Sequence, residues 1–304
     1  MNYQRYVLSI LKASGWSQEE LAQRIGVSFV TLNAWANGRA EPRKKALAVI
    51  EALYFDVVGT DEVDLAELAQ KKQDIAALKT SARTISNNEE LLNKLTLYLT
   101  YHTNTIEGST MTLSDTEEVL FEHKVLSNRT QVEQAEARNH QAALLWLLEQ
   151  LQSKHFIINE GLVIGLHLRL MNGIISDAGL YRKHSVRIMG ANVPLANYQK
   201  IPVLMDNFLE IANQKNDDLV DHLAKTHTTF EKIHPFSDGN GRIGRLLMLA
   251  QALRTGVIPP VVLKEKRQAY YKYLELAQTR DQFAPLQLFL AESIIAADEL
   301  LSTE

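Results

Sequence analysis

The residues with the clearest chemical potential lie in the string HPFSDGNGRIGR at positions 234–245. Pro235 disfavours helical geometry at His234, so an amphipathic helix predicted over 217–233 should end there. A histidine at that helix end can accept a hydroxyl proton near neutral pH. Asp238 offers the hard carboxylate oxygen that a phosphate-bound Mg²⁺ prefers.

The glycines of the same string come directly before a second predicted helix. Backbone N–H groups at such a helix start bind anions, and the helix dipole adds to their attraction. Here the anion-binding segment would be Gly239, Asn240 and Gly241. Arg242 and Arg245 lie on nearly one helix face, so both guanidiniums can address one polyphosphate. A base, a metal ligand, an anion site and two arginines together indicate phosphoryl or nucleotidyl transfer.

The string 234–245 matches in full the motif HPFx(D/E)GNGRxxR, so the chain resembles the Fic family of protein adenylyltransferases. The resemblance implies transfer of AMP from ATP to a Ser, Thr or Tyr hydroxyl of a target protein or of the chain itself. It implies that His234 is the general base, that Asp238 holds Mg²⁺, and that Phe236 anchors the loop in the core. The phosphate-binding residues it implies are Gly239, Asn240, Gly241, Arg242 and, at the γ-phosphate, Arg245.

Two further segments resemble parts of the Fic fold. Residues 185–194 form the only convincing extended stretch, and a Gly-Ala-Asn turn in the middle predicts a short β-hairpin. The string GLYRKHSVRIMG resembles the family's flap, a hairpin that pairs with the target's backbone by β-strand addition. The docking residues of that flap would be Val186, Ile188 and Val193. The string KEKRQAYYKYLELA resembles the family's Tyr-Tyr helix, which would set Tyr270 and Tyr271 beside the nucleotide, although a core role stays open.

Residues 103–108 read TNTIEG at the end of a helix predicted over about 88–108. A negative charge at a helix C-terminus is unfavourable because it lies at the negative end of the helix macrodipole. We therefore expect Glu107 to have a basic partner, unless it is an ordinary surface acid. The segment resembles the Fic inhibitory motif (S/T)xxxE(G/N). That resemblance implies that Glu107 pairs with Arg245 and keeps the γ-phosphate from its productive place. Some Fic proteins use this Glu to activate water and remove AMP, so a deadenylylase or a bifunctional enzyme stays open.

Near the N-terminus, residues 17–43 predict a helix, a Gly-containing turn and a second helix. Ser17 and Glu20 form a capping box for the first helix, and Ser28 caps the second. The run carries every fixed letter of SQxxLAxxxGVSxxTLxxWxxGxxxP and so resembles the lambda-repressor-like (Xre-type) helix-turn-helix family. The DNA contacts that this implies are Gln18, Ser28, Phe29 and Asn33. The expected buried side of the second helix is Val30, Leu32 and Trp35.

Charge supports DNA binding only modestly. Residues 1–56 carry seven Lys/Arg against five Asp/Glu, in a chain whose net charge is −4. The apolar Phe29 and Val30 can meet thymine methyl groups but cannot read guanine. A helix-turn-helix used for dimerisation or docking is therefore the alternative. Such modules usually read paired half-sites, which suggests a homodimer.

Composition indicates two domains of mainly α structure. Helical periodicity recurs along the 304 residues, which predicts a helix-turn-helix domain over 1–58, a linker helix over 59–87 and a Fic domain over 88–304. The absence of cysteine excludes disulfides and thiolate metal sites. No apolar run reaches membrane-spanning length, so we expect a cytoplasmic protein without a membrane partner. A transcription regulator whose Fic domain only senses nucleotide is the remaining alternative, against which the intact His234 argues.

Overall fold

The computed structural model describes residues 3–58, 63–187 and 193–302, which are mostly helical. The helices are α1 (Tyr3–Ser14), α2 (Gln18–Ile25), α3 (Phe29–Ala36), α4 (Lys44–Val57), α5 (Leu65–Ile75), α6 (Ala82–Ser86), α7 (Glu89–Ile106), α8 (Leu113–Phe121), α9 (Gln131–Gln150), α10 (Glu160–Met171), α11 (Ile201–Asn213), α12 (Leu219–Ile233), α13 (Asn240–Arg254), α14 (Arg267–Arg280) and α15 (Ala284–Ser302). Among these described helices none combines the length and hydrophobicity that crossing a bilayer requires. The mainly α fold class predicted from the sequence is confirmed.

The chain divides into two compact units. The first unit consists of Met1–Val63 and Glu265–Lys272, and the second consists of Asp64–Lys264 and Tyr273–Glu304. In the first unit α1 packs against α3 and α4, and α2 packs against α3. Its buried apolar side chains include Val7, Ile10, Leu21, Leu32, Trp35 and Ile50.

The segment predicted as a linker helix is divided between two helices of the second unit. Residues 59–62 lie outside the described residues, and the rest forms α5 and α6. Helix α5 packs against α15 because Leu68 and Ile75 bury its apolar face. Between α5 and α6 the extended Lys79 forms an antiparallel bridge with Val257. Residues 76–81 between the two helices are not helical, which periodicity alone does not reveal.

Helix α13 forms the centre of the second unit. Almost every residue between Asn240 and Leu253 is buried, and the helix contacts α7, α9, α10 and α12. A helix that is buried on all sides belongs to a domain interior. Its buried positions include Arg242 and Arg245, and each charge needs partners because an unpaired buried charge is costly.

The predicted flap is described only at its two ends. Val186 and Val193 lie in irregular chain, and Ile188 lies outside the described residues together with the predicted turn. The hairpin therefore stays a prediction. Both ends lie beside a cavity of about 520 Å³ that is also lined by Arg182, Ala196 and Tyr198.

Candidate active site

His234 ends α12 in a left-handed backbone conformation, with φ 50° and ψ 62°. This region is uncommon for a residue with a Cβ, and it concentrates at functional sites where the surroundings hold it in place. The His234 N–H still donates to the carbonyl of Phe230, at 2.9 Å, and thereby completes the last helical turn. The side chain is 17% exposed, so the imidazole is accessible but held.

The buried side chain of Arg182 holds this helix end and the two chain segments that flank the flap. Its Nε donates to the carbonyl of His234 at 2.7 Å, and Nη2 reaches the carbonyl of Ile233 at 3.3 Å. Nη1 donates to the carbonyl of His184 at 2.8 Å, and Nη2 donates to that of Ala196 at 2.7 Å. Orphan carbonyls at a helix end are thus satisfied by a guanidinium. This role could not be predicted from the sequence, in which the only signal is a basic residue before the flap.

The loop between α12 and α13 is closed by Asn240 and anchored by Phe236. The Asn240 amide accepts from the Phe236 N–H and donates to the Phe236 carbonyl, both at 2.9 Å. The Phe236 ring is buried and stacks on His167 with 3.7 Å between ring centroids. Asn240 was expected among the phosphate ligands, but its buried side chain is committed to the loop, which leaves its backbone for an anion.

His167 on α10 is a second residue that sequence reasoning missed. Its Nδ1 accepts from the Gly179 N–H at 2.8 Å, so Nε2 carries the proton and donates to the Asp238 carbonyl at 3.1 Å. Burial lowers the pKa of His167 to about 4, which keeps the ring neutral. A neutral imidazole in a fixed orientation thus supports the backbone of the loop through its hydrogen bond to the Asp238 carbonyl.

The carboxylate of Glu107 lies against the start of α13. A Cβ built on Gly241 would collide with Glu107 Oε1 and would come within 3.2 Å of Arg245 Nη1. The first N–H groups of a helix lack intrahelical partners and attract negative charge. Glu107 therefore occupies the position at which the sequence predicts phosphate binding.

Arg245 turns its guanidinium from α13 towards the end of α7. Its Nη2 donates to Glu107 Oε1, and its Nε donates to Thr103 Oγ1 at 2.7 Å. Arg245 is buried, whereas the Glu107 side chain remains 30% exposed. The structure thus brings together the two residues that the inhibitory motif pairs.

Arg242 and Asp238 differ in accessibility. Arg242 was predicted as a phosphate clamp, but its guanidinium is buried and its Nη1 donates to Glu136 Oε1 at 2.8 Å. Asp238 is 62% exposed, and one of its oxygens accepts from the Gly239 N–H at 2.6 Å. An exposed carboxylate at an anion site fits Mg²⁺, which needs only one or two protein carboxylates when phosphates supply further oxygens.

A carboxylate, Glu231, lies buried behind His234. Its Oε2 is 3.6 Å from Nδ1 of His234, and its Oε1 lies where a Cβ on Gly244 would come within 2.8 Å. Burial alone would raise the pKa of Glu231, but His234, His227 and Arg245 outweigh it and lower that pKa. Burial lowers the pKa of His227 to about 4, so this histidine is a neutral neighbour.

In the first unit the helix-turn-helix forms as the sequence predicts. Ser17 and Glu20 make both bonds of the capping box, and Gly26 takes the left-handed conformation, with φ 80°, at the turn. Leu32 and Trp35 are buried, but Val30 is 75% exposed, so its expected burial is wrong. Val30 is the second residue of α3 after the cap Ser28, and it is not part of the buried stripe, which consists of Leu32, Trp35 and Ala36.

The candidate DNA contacts lie together on this unit. Phe29 is 45% exposed beside Val30, and the Asn33 amide donates to Gln18 Oε1 at 3.0 Å. The Ser28 hydroxyl accepts from the Thr31 N–H at 3.2 Å, as a helix cap.

Tyr270 and Tyr271 belong to the first unit. Tyr270 is buried, its ring centroid is 5.2 Å from that of Tyr271, and Arg267 lies 5.4 Å over the Tyr271 ring. The loop 234–245 belongs to the second unit, and the place of these tyrosines beside a nucleotide stays a prediction.

Comparisons with known proteins agree with these motifs. The model of the Fic/DOC family matches residues 157–252, and a helix-turn-helix model matches residues 7–55. The chain is 31% identical over 278 residues to Protein adenylyltransferase Fic of Drosophila willistoni, across 90% of this chain and 53% of that protein. The protein of the same name from Aedes aegypti is 27% identical over 267 residues, across 86% and 51% of the two chains.

Solved structures show the same fold. Fic-1 of C. elegans superposes with a TM-score of 0.66 at 23% identity, over 93% of this chain and 84% of that one. A Fic domain containing signaling protein from Bacteroides thetaiotaomicron has a TM-score of 0.65 at 22% identity, over 78% and 95%. The chain spans about half the length of the curated relatives it matches. The chain thus carries an N-terminal helix-turn-helix domain followed by a domain of the Fic/DOC family.

Proposed function

We propose that this chain is a protein adenylyltransferase, which transfers AMP from ATP to a Ser, Thr or Tyr hydroxyl of a target protein or of itself. The observation that carries the proposal is one continuous site made of His234, the α13 N-terminus and Arg245, with the Asp238 carboxylate exposed beside it. The fly and mosquito relatives named as adenylyltransferases align with most of this chain and support the same reaction.

In the proposed reaction His234 accepts the proton of the target hydroxyl while the hydroxyl oxygen attacks the α-phosphorus. Pyrophosphate leaves on the opposite side, and the backbone N–H groups of Gly241 and its neighbours face the negative charge that develops. Asp238 would hold Mg²⁺, which neutralises phosphate charge when bound. Arg245 would bind the γ-phosphate, and the buried Arg242 would keep α13 in place through Glu136.

The described conformation corresponds to an inhibited state in this proposal. The Glu107 carboxylate lies at the anion site and engages Arg245, so a γ-phosphate would meet both an occupied position and a like charge. ATP would then bind with its α-phosphorus out of line with the attacking hydroxyl oxygen and the pyrophosphate leaving group. Release of Glu107 frees the arginine and the helix start together.

The flap would align the target hydroxyl with His234. Val186 and Val193 lie at its two ends beside the cavity of about 520 Å³. Arg182 bonds the carbonyls of His184 and Ala196, which flank the flap, and also that of His234. An extended target segment could add to the flap as a β-strand.

The test uses ATP labelled at the α-phosphate, with Mg²⁺ and host lysate as the source of targets. Wild type, Glu107→Gly and Glu107→Gly/His234→Ala are compared. We expect label on protein with Glu107→Gly, little label with wild type, and none with the double variant. A Glu122→Gln variant, which alters an exposed acid at the end of α8, serves as the control and should stay as silent as wild type.

Label that is equal in wild type and Glu107→Gly would overturn the inhibitory role but not the transfer. Absence of label in every sample would overturn the transferase proposal and favour AMP removal by the same site, or nucleotide sensing. Removal is then measured on a purified AMP-modified protein, on which wild type should act and Glu107→Gly should not.

We further propose that the helix-turn-helix domain binds DNA, as a homodimer on paired half-sites, in the cytoplasm. The match to a helix-turn-helix model and the exposure of Phe29 and Val30 next to Asn33 support this role. Selection from a random duplex library, followed by anisotropy titrations at several salt concentrations, tests it. Asn33→Ala should lose discrimination between sites, while Gln131→Ala in the second unit should not. Absence of binding at low salt would favour the docking alternative.

A further inference from the structure

The buried Glu231 has no part in the reaction proposed above, although it lies beside the base His234. Both residues lie at the C-terminal end of α12, three positions apart, with Oε2 of Glu231 3.6 Å from Nδ1 of His234. Among the described residues neither Nδ1 of His234 nor Oε1 of Glu231 has a hydrogen-bond partner. Both atoms are buried, so water does not solvate them.

Buried atoms of this kind are costly unless they satisfy one another. A proton on Nδ1 makes that nitrogen a donor, and Oε2 of Glu231 is the nearby acceptor, so a hydrogen bond to Oε2 would satisfy Nδ1. The observed separation is longer than a hydrogen bond. Catalytic hydrogen bonds are often long without substrate and shorten when charge develops on the base.

The charged and titratable groups around Glu231 favour an ionised carboxylate. Arg245 from α13 and His227 and His234 from its own helix face it, and these groups lower its pKa against the effect of burial. His227 stays neutral because burial lowers its pKa to about 4. Glu231 therefore keeps its negative charge behind the imidazole at neutral pH.

We infer that Glu231 is a positioning residue for His234, an inference that rests on the proposed adenylyl transfer. Its carboxylate accepts a hydrogen bond from Nδ1–H, which keeps the proton on Nδ1 and leaves the Nε2 lone pair for the target hydroxyl. During transfer the hydroxyl proton passes to Nε2, the oxygen–phosphorus bond forms, and the bond to pyrophosphate breaks. The imidazolium is then stabilised by the Glu231 carboxylate, which stays ionised throughout.

The kinetic test compares Glu231→Gln and Glu231→Leu in the released Glu107→Gly background. We expect kcat to fall about 10-fold for Gln, which can still accept a hydrogen bond, and about 100-fold for Leu, which cannot. The KM for ATP should stay within about 2-fold, because Glu231 lies behind the base and not at the phosphates. Glu210→Gln, which alters an exposed acid on α11, should leave both constants unchanged.

A spectroscopic test does not depend on turnover. Nitrogen-15 NMR of histidine-labelled full chain should show the Nδ1–H form for the His234 resonance, which is identified by its loss in His234→Ala. Glu231→Leu should shift that resonance towards the Nε2–H form. A wild-type His234 already in the Nε2–H form, or a Leu variant with unchanged kcat, overturns the inference. Inactivity of Glu107→Gly itself would count against the transferase proposal alone, since the tautomer still decides the role of Glu231.

Discussion

Two helix C-termini meet α13, and they are held in opposite ways. Helix α7 ends at Glu107, a partly exposed acid whose main contact is Arg245. The segment that follows α7 is fastened at the surface, where Glu133 accepts from the N–H and hydroxyl of Thr110 at 2.6 and 2.7 Å. Helix α12 ends at His234, whose backbone is clamped by the buried Arg182.

The difference indicates which end can move. The Glu107 carboxylate is 30% exposed, so water can solvate it after release, whereas the buried Arg245 then needs another anionic partner, such as the γ-phosphate of ATP. Buried hydrogen bonds to helix-end carbonyls are expensive to break, so the α12 end is rigid before substrate arrives. In the proposed enzyme the regulatory contact can therefore be exchanged for a contact with phosphate, and the catalytic geometry is preorganised.

The largest expected effect comes from loosening the α12 end. Arg182→Lys keeps the charge but cannot reach carbonyls on both the helix end and the flap, so kcat/KM for the target should fall about 100-fold in the Glu107→Gly background. Labelling rates at varied target concentration measure it. Arg169→Lys alters a guanidinium 3.9 Å over the Trp146 ring and should change the rate little. Equal losses in the two variants would contradict a specific role for Arg182.

Acid should lower the free energy of unfolding, because several histidines of the second unit are buried in the neutral form. Burial lowers the pKa of His140 to about 3 and those of His167 and His227 to about 4. In the unfolded chain they titrate near 6.5, so below that pH the unfolded state binds more protons and the free energy of unfolding falls. We expect a loss on the order of several kcal/mol between pH 7 and pH 4.

Urea unfolding at a series of pH values measures this slope. His167→Gln should make the slope shallower, and His155→Gln, which alters an exposed histidine, should not. A pH-independent free energy of unfolding over this range would contradict the burial of these histidines in their neutral form.

The contact between α12 and α13 can be tested with an added methyl group. A Cβ on Gly244 would lie 2.8 Å from both Glu231 Oε1 and the His227 ring, so Gly244→Ala should lower the free energy of unfolding by about 2 kcal/mol. Gly161→Ala on α10 meets only Asn159 Oδ1 at 3.4 Å and should be neutral or slightly stabilising. Thermal unfolding compares the two. A neutral Gly244→Ala would mean that the two helices separate more easily than their packing indicates.

The smallest effect is expected at the α7 end. Thr103→Val removes the hydroxyl that accepts from Arg245 Nε and should raise basal labelling about 5-fold, since such a bond is worth about 1 kcal/mol. Thr105→Val removes a bond from the Thr105 hydroxyl to the Tyr101 carbonyl of the same helix, away from Arg245, and should have no such effect. A rate unchanged by Thr103→Val would assign the inhibitory contact to Glu107 alone.

Local motifs allowed much of this structure to be predicted. The loop 234–245, the α7 terminus and the helix-turn-helix over 17–38 depend on caps, turns and short spacings, which act within a few residues. The sequence also suggested the pairing of Glu107 with Arg245, through a motif resemblance that joins distant segments. Burial inside the second unit could not be predicted from the sequence: there the Arg242 guanidinium pairs with Glu136 and the Asn240 side chain closes the loop, while the phosphate contacts of both residues stay predictions.

By itself the sequence determined the helical class, the two motifs and the residue types able to act as base, metal ligand and phosphate ligand. Only the tertiary structure decided that Arg182, His167 and Glu231 support His234 and its loop. Arg182 and His167 act on residues that lie 50 or more positions away in the sequence, and Glu231 acts through a buried contact on a helix face. No local sequence pattern encodes these contacts. Packing of α10, α12 and the chain before the flap around α13 brings them together, because desolvated polar groups must find partners in the core.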